Sequence, residues 1–153
     1  MKNKQYPIKS GLSTAKLFWP EFKVVDDLVF FGWCAPDVID FDRWHDKTEI
    51  ECSFNHVHIL DCFSHEASLS DEPWWNSEHP DFKAACEFGK LWAEAISYKL
   101  KKEFPERNFY IYYTEQDNPI VRFHQKHVNE AKYVSPETWE KEINCGKIVI
   151  HVV

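Results

Sequence analysis

The chain is poor in the residues that build several common kinds of site. It has four glycines and one methionine in 153 residues. No GxGxxG, Walker loop, GxSxG elbow or HExxH occurs, so the usual phosphate, nucleophile and zinc signatures are missing. No CxxC pair occurs either, and five cysteines cannot form a fully paired disulfide framework. No apolar run approaches the eighteen or so residues of a membrane span, and no segment repeats with a period of tens of residues. The stretch MKNKQYPIKSGLSTAKLF lacks the apolar core of a secretory signal. These absences predict a cytosolic protein with reduced thiols and no cofactor. What is present is core material: 44% hydrophobic and 16% aromatic residues, with seven tryptophans and twelve phenylalanines. A chain of this length buries roughly 70% of its unfolded surface as one domain.

Basic residues are missing from one segment altogether. Between Thr48 and Phe82 there is no Lys or Arg, while Glu49, Glu51, Asp61, Glu66, Asp71, Glu72, Glu78 and Asp81 fall there. The segment carries more than the entire formal net charge of −7. Such a field repels nucleic acid and anionic membrane surfaces and draws in basic partners. A solvated acidic loop that only aids solubility is the plainer alternative.

Periodicity divides the chain into an arm and a domain. Residues 1–15 read as a polar, flexible arm, and residues 16–153 as a single domain. Leu17, Phe18, Trp19 and Phe22 suit a short turn or helix packed on that domain. Leu28–Trp33 is a short apolar strand, and Asp37 is placed to cap a short helix carrying Val38, Ile39, Phe41 and Trp44. The next stretch carries two patterns. Asp46 and Glu49 have capping-box spacing with Ile50, Phe54 and Val57 behind them, which favours a helix over Lys47–Phe63, whereas Ile50, Cys52 and Phe54 alternate as in a strand. Pro80 and Pro105 bracket a long helix with an apolar stripe from Phe82 to Phe104. Asn108–Thr114 is a strand, Asp117-Asn118-Pro119 a turn, and Ile120–His124 its antiparallel partner. Phe109, Ile111, Tyr113, Val121 and Phe123 share its core face. Ser135-Pro136 starts a short helix, and Lys147–Val153 is a last strand. The order β-α-α-α-β-β-α-β predicts an α+β fold, a mainly antiparallel sheet with helices packed on one face.

Two constellations carry chemistry. His56, His58, Asp61 and His65, with Cys62, are metal-ligating types. On a strand His56 and His58 face one way and could chelate together; on a helix they lie about 200° apart. A cysteine nucleophile finds no base near it in sequence, so no catalytic residue is assigned. The second constellation is Glu66–Asp81, a long aperiodic loop in which Trp74 and Trp75 sit among Asp71, Glu72, Glu78 and Asp81. Adjacent indoles do not both enter one core in most backbone geometries, and aromatic anchors ringed by charge have the composition of a binding hot spot. The alternative is that both rings fold back over the long helix as a lid.

A small, acidic α+β domain with an acidic-aromatic loop and no catalytic motif resembles the immunity proteins of bacterial toxin systems. The resemblance is one of size, charge and aromatic content. It implies a protein partner, a cognate toxin domain such as a basic nuclease, whose active site or substrate groove is covered. Asp71, Glu72, Trp74, Trp75, Glu78 and Asp81 are the expected contact residues. The rival readings are a metal-dependent enzyme centred on His56, His58, Asp61 and His65, and a housekeeping interaction module.

Overall fold

The computed structural model describes residues 7–63, 73–74 and 76–153. The fold is a single α+β domain around an antiparallel sheet. The expected order of strands and helices is found, with a 3-10 turn at Phe41–Arg43 in the place of the first short helix. Four further elements accompany it: helix α1 (Ile8–Phe18), strand β1 (Phe22–Val25), strand β3 (His56–His58) and a 3-10 turn at Leu60–Cys62. The part of the expected arm that is described, from Ile8 onward, is therefore helical. Its residues through Lys16 are exposed, and only Leu17 and Phe18, at its end, pack against the core.

Strands β1 and β2 (Leu28–Phe31) form a hairpin closed by Asp26 and Asp27, both at positive φ (48° and 67°). Two left-handed residues match the twist of a tight hairpin, and aspartate tolerates that region better than most residues. Arg107 fixes the turn, donating to the Asp27 carbonyl and carboxylate, each at 2.7 Å.

Helix α2 covers Lys47–Phe54. The Asp46 carboxylate accepts from the Glu49 amide at 2.7 Å, and the Glu49 carboxylate accepts from the His45 amide at 2.7 Å. That start agrees with the capping pattern. The helix does not run on to Phe63, however. It stops at Asn55, whose side chain is committed to two sheet edges, and residues His56–His58 become β3 against β5. Asn55 reaches partners distant in sequence, which no local periodicity reports.

Helix α3 (Pro80–Glu103) follows the bracket set by Pro80 and Pro105. The His79 imidazole accepts from the Asp81 amide at its start. Its stripe, including Phe82, Trp92, Ile96 and Leu100, packs on Phe109, Ile111, Tyr113, Val121 and Phe123 of the sheet, which share one face as predicted. Gly89 permits the closest approach: a Cβ there would sit 2.8 Å from the ring of Tyr113.

The main sheet has the order β3-β5-β4-β6, antiparallel throughout, with β4 at Phe109–Thr114, β5 at Ile120–Gln125 and β6 at Ile148–Val152. On the face away from α3, Tyr110, Tyr112, Val134 and Ile148 form a smaller cluster. Ser135 does not cap a helix. Its hydroxyl donates to Glu137 and its carbonyl accepts from the amides of Thr138 and Trp139, making one turn before α4 (Glu140–Asn144). Among the described residues no helix is long and apolar enough to cross a membrane.

Candidate functional site

Strand direction gives the molecule two chemically different ends. The β4–β5 turn, the 3-10 turn after β3 and the start of α3 lie toward one end, because Thr114 pairs with both Ile120 and Ile148 while α3 runs against β4, with Gly89 on Tyr113 and Phe104 on Phe109. This end carries Asp61, Glu78, Asp81, Glu115 and Asp117. Asn118 ties it: its amide donates to Asp61 at 3.0 Å and its carbonyl oxygen accepts from the Leu60 amide. Glu78 is exposed and pairs with Lys83 at 2.8 Å, which holds its carboxyl below the usual range. Asp81 is partly exposed in the first turn of α3. Trp74 is partly buried and packs against the main core. Asp71, Glu72, Trp75, His65 and Glu66 lie outside the described residues.

One member of the acidic segment is not at the surface. Glu51 is 0% exposed and its two oxygens take four donors: the Val29 amide (2.8 Å), the Gln125 amide (2.7 Å), the Gln125 side chain (2.9 Å) and His127 Nε2 (2.8 Å). One helical turn later, Asn55 accepts from the Phe31 amide and donates to the carbonyls of Val29 and Phe123. Strand β3 is too short to cover the end of β5, and β2 has a free edge there. Glu51 and Asn55, four residues apart on one helix face, supply by side chain the ladder that a further strand would have made. Glu51 is thus a structural carboxylate rather than part of the external field.

The histidines behave as the strand geometry requires. His56 and His58 lie on one face of β3 with their Nε2 atoms 3.1 Å apart, so the helical reading, which separated them, does not hold. His56 Nδ1 sits 3.2 Å from the Ser53 carbonyl. A carbonyl can only accept, so Nδ1 carries the proton and Nε2 of neutral His56 presents its lone pair to His58. Burial, and then His56, push the pKa of His58 down, against the opposing pull of Asp61 and Asp117. Asp61 itself faces Asn118, and among the described residues no three metal-ligating side chains converge. The thiols are unpaired. Burial raises Cys34 to about 11 and Cys52 to about 12, and it raises Cys62 and Cys86 as well, which is the reverse of an activated nucleophile.

Strand β5 also carries a residue that the sequence reading passed over. Arg122 stands between His56 on β3 and Tyr112 on β4, on the face away from α3. It opens onto a 430 Å³ cleft walled by α2 and by Ala131, Lys132 and Tyr133. Its guanidinium lies 4.2 Å from the centroid of the Tyr133 ring. The available signal was an arginine among Ile120, Val121 and Phe123 in a central strand, where a charge is expensive unless it has a task.

A family model, that of the uncharacterized protein PM0498 family, matches residues 1–150. The chain belongs to this family. No curated protein and no solved structure matches it. The PM0498 family match spans both the acidic end and the Arg122 cleft. Chemically, the first offers carboxylates for steering and pairing, and the second a cation in a concavity. Both are means of binding.

Proposed function

We propose that this chain is a protein-binding domain of the immunity type, acting in the cytosol on a cognate toxin domain whose active site it covers. The observation that carries this reading is the absence of Lys and Arg from Thr48 to Phe82, where eight acidic residues fall, together with the placement of Asp61 and Asp117 beside His58 at one end of the sheet. A field of this kind accelerates encounter with a basic surface, and a nuclease groove built for a polyanion is the surface it suits best. The contact set is Asp71, Glu72, Trp75, Glu78 and Asp81, with the exposed part of Trp74. The chain acts by occlusion and is not an enzyme. The test starts from the gene directly upstream. The variable C-terminal domain it encodes is purified and its activity is titrated with this chain. Loss of activity at one-to-one stoichiometry supports the reading, and full activity in excess of this chain opposes it.

A second reading, metal binding, is favoured by the His56–His58 pair. Tetrahedral zinc with Zn–N bonds of about 2.0–2.1 Å places two nitrogens roughly 3.3 Å apart, close to the 3.1 Å seen here. The Ser53 carbonyl supplies the outer hydrogen bond that orients a ligating imidazole. Zinc titration by calorimetry, lost in His58→Ala, supports it; no heat in the native chain opposes it.

A further inference from the structure

The chain has three arginines, at 43, 107 and 122. Arg43 pairs with Asp40 at 2.9 Å, and Arg107 donates to Asp27 and to the Gln125 side chain. Arg122 differs from both. It is partly buried, no carboxylate or carbonyl among the described residues accepts from it, and its Nε is wholly enclosed with no partner. One face of the guanidinium is covered by Tyr133. Its strand position fixes the stem between His56 and Tyr112. The fork is therefore held in place while, among the described residues, no acceptor meets its donors.

We propose that the cleft between α2, β5 and residues 131–133 binds a small ligand through a carboxylate or phosphate group, which the Arg122 guanidinium takes. An enclosed Nε–H without an acceptor is costly, and a ligand oxyanion in the cleft supplies acceptors to the fork in the geometry that its planar shape matches best. The volume of 430 Å³ lies in the range of small-molecule sites. Lys132 adds a second cation to the lining, and Tyr133, 48% exposed, supplies an apolar wall. The two carboxylates that also line the cleft, Asp46 and Glu49, are engaged by the amides of Glu49 and His45 at the start of α2. The rigidity of the fork lowers the ordering cost of binding. This site lies on the sheet face away from α3 and does not depend on the acidic end being a partner surface.

The experiment is an NMR titration of the full chain with sodium phosphate and, separately, sodium acetate, with ionic strength held constant by sodium chloride. The expected result is saturable shifts in the Arg122 Nε–H and in the amides of His56, Arg122 and Tyr133. The anion that saturates first identifies the ligand group as phosphate or carboxylate. Arg122→Gln is expected to weaken that binding by about tenfold or more, since a charge-assisted hydrogen bond is lost, while Arg43→Gln leaves it unchanged. Should Arg122→Gln fail to fold, the shift map of the native chain decides. No saturation by either anion, shifts confined to other residues, or equal binding by folded Arg122→Gln would overturn the proposal.

Discussion

Replacing Glu51 by Gln changes little in shape and much in hydrogen bonding. The carboxylate accepts four bonds of 2.7–2.9 Å inside the domain, two on each oxygen. Glutamine keeps one oxygen and puts an NH2 group where the other stood. With the oxygen near Val29, the NH2 group faces the Gln125 amide and His127 Nε2. His127 can answer by changing tautomer, but the Gln125 amide cannot and loses its acceptor. A buried donor left unsatisfied costs about 1–3 kcal/mol, so the expected loss is about 2 kcal/mol or more. Against a total stability of about 5–15 kcal/mol this is a large fraction. Urea unfolding followed by tryptophan fluorescence measures it, as a lower midpoint with unchanged slope. Hydrogen exchange then locates it, because the amides of Val29 and Gln125 should lose protection together as hairpin β1–β2 loosens from β5. A loss below about 1 kcal/mol would refute the view that Glu51 joins the two sheet edges.

Other expectations follow from the same structure. His124, almost fully buried, donates from Nδ1 to the Gln125 carbonyl and accepts at Nε2 from the Tyr112 hydroxyl, and burial lowers its pKa, as it also does for His58 and His151. The unfolded chain then binds more protons below the ordinary value of about 6.5, so stability is complete above that pH and falls as acid takes the pH toward the folded-state value. Urea midpoints at about pH 7.5 and about pH 5.5 should show the drop, and His124→Gln should reduce it. Gly89→Ala should destabilise by about 1–3 kcal/mol despite better helix propensity, because its Cβ meets the buried Tyr113 ring at 2.8 Å; a rise in urea midpoint would contradict this. Iodoacetamide at neutral pH should label exposed Cys145 well before Cys34 and Cys52, whose thiols burial holds near 11 and 12. Peptide mass spectrometry over time reads the order.

Local signals carried much of the architecture. Helix α3 was legible because its caps, apolar stripe and terminating proline agree with one another. The β4–β5 hairpin was legible because an aromatic strand, an Asp-Asn-Pro turn and an alternating return stand in sequence. Helix α2 was legible at its start, which the Asp46–Glu49 exchange fixes locally, and not at its end, which Asn55 fixes through Val29, Phe31 and Phe123. Strand β1 was missed because its turn uses two aspartates without glycine and none of its own residues is fully buried. At the sites, acidity could be counted along the chain but burial could not. Glu51 reads like its neighbours and lies inside, whereas Arg122 reads like part of a core strand and opens onto a cleft. The His56–His58 relation depended on one local choice, strand over helix, and the pairing of β3 with β5 made that choice.

The central claim is that the acidic end receives a basic protein. Its most direct test is the association rate with the protein domain encoded directly upstream, the proposed partner, measured by stopped flow across a range of salt concentrations. Native chain is compared with one carrying Asp71→Asn, Glu72→Gln, Glu78→Gln and Asp81→Asn together. Charges of this kind act over a Debye length of about 8 Å in physiological salt, so they govern encounter more than residence. The account predicts slower association in the variant and a flatter dependence on ionic strength, with dissociation little changed. An association rate equal to that of the native chain at every salt concentration would contradict it.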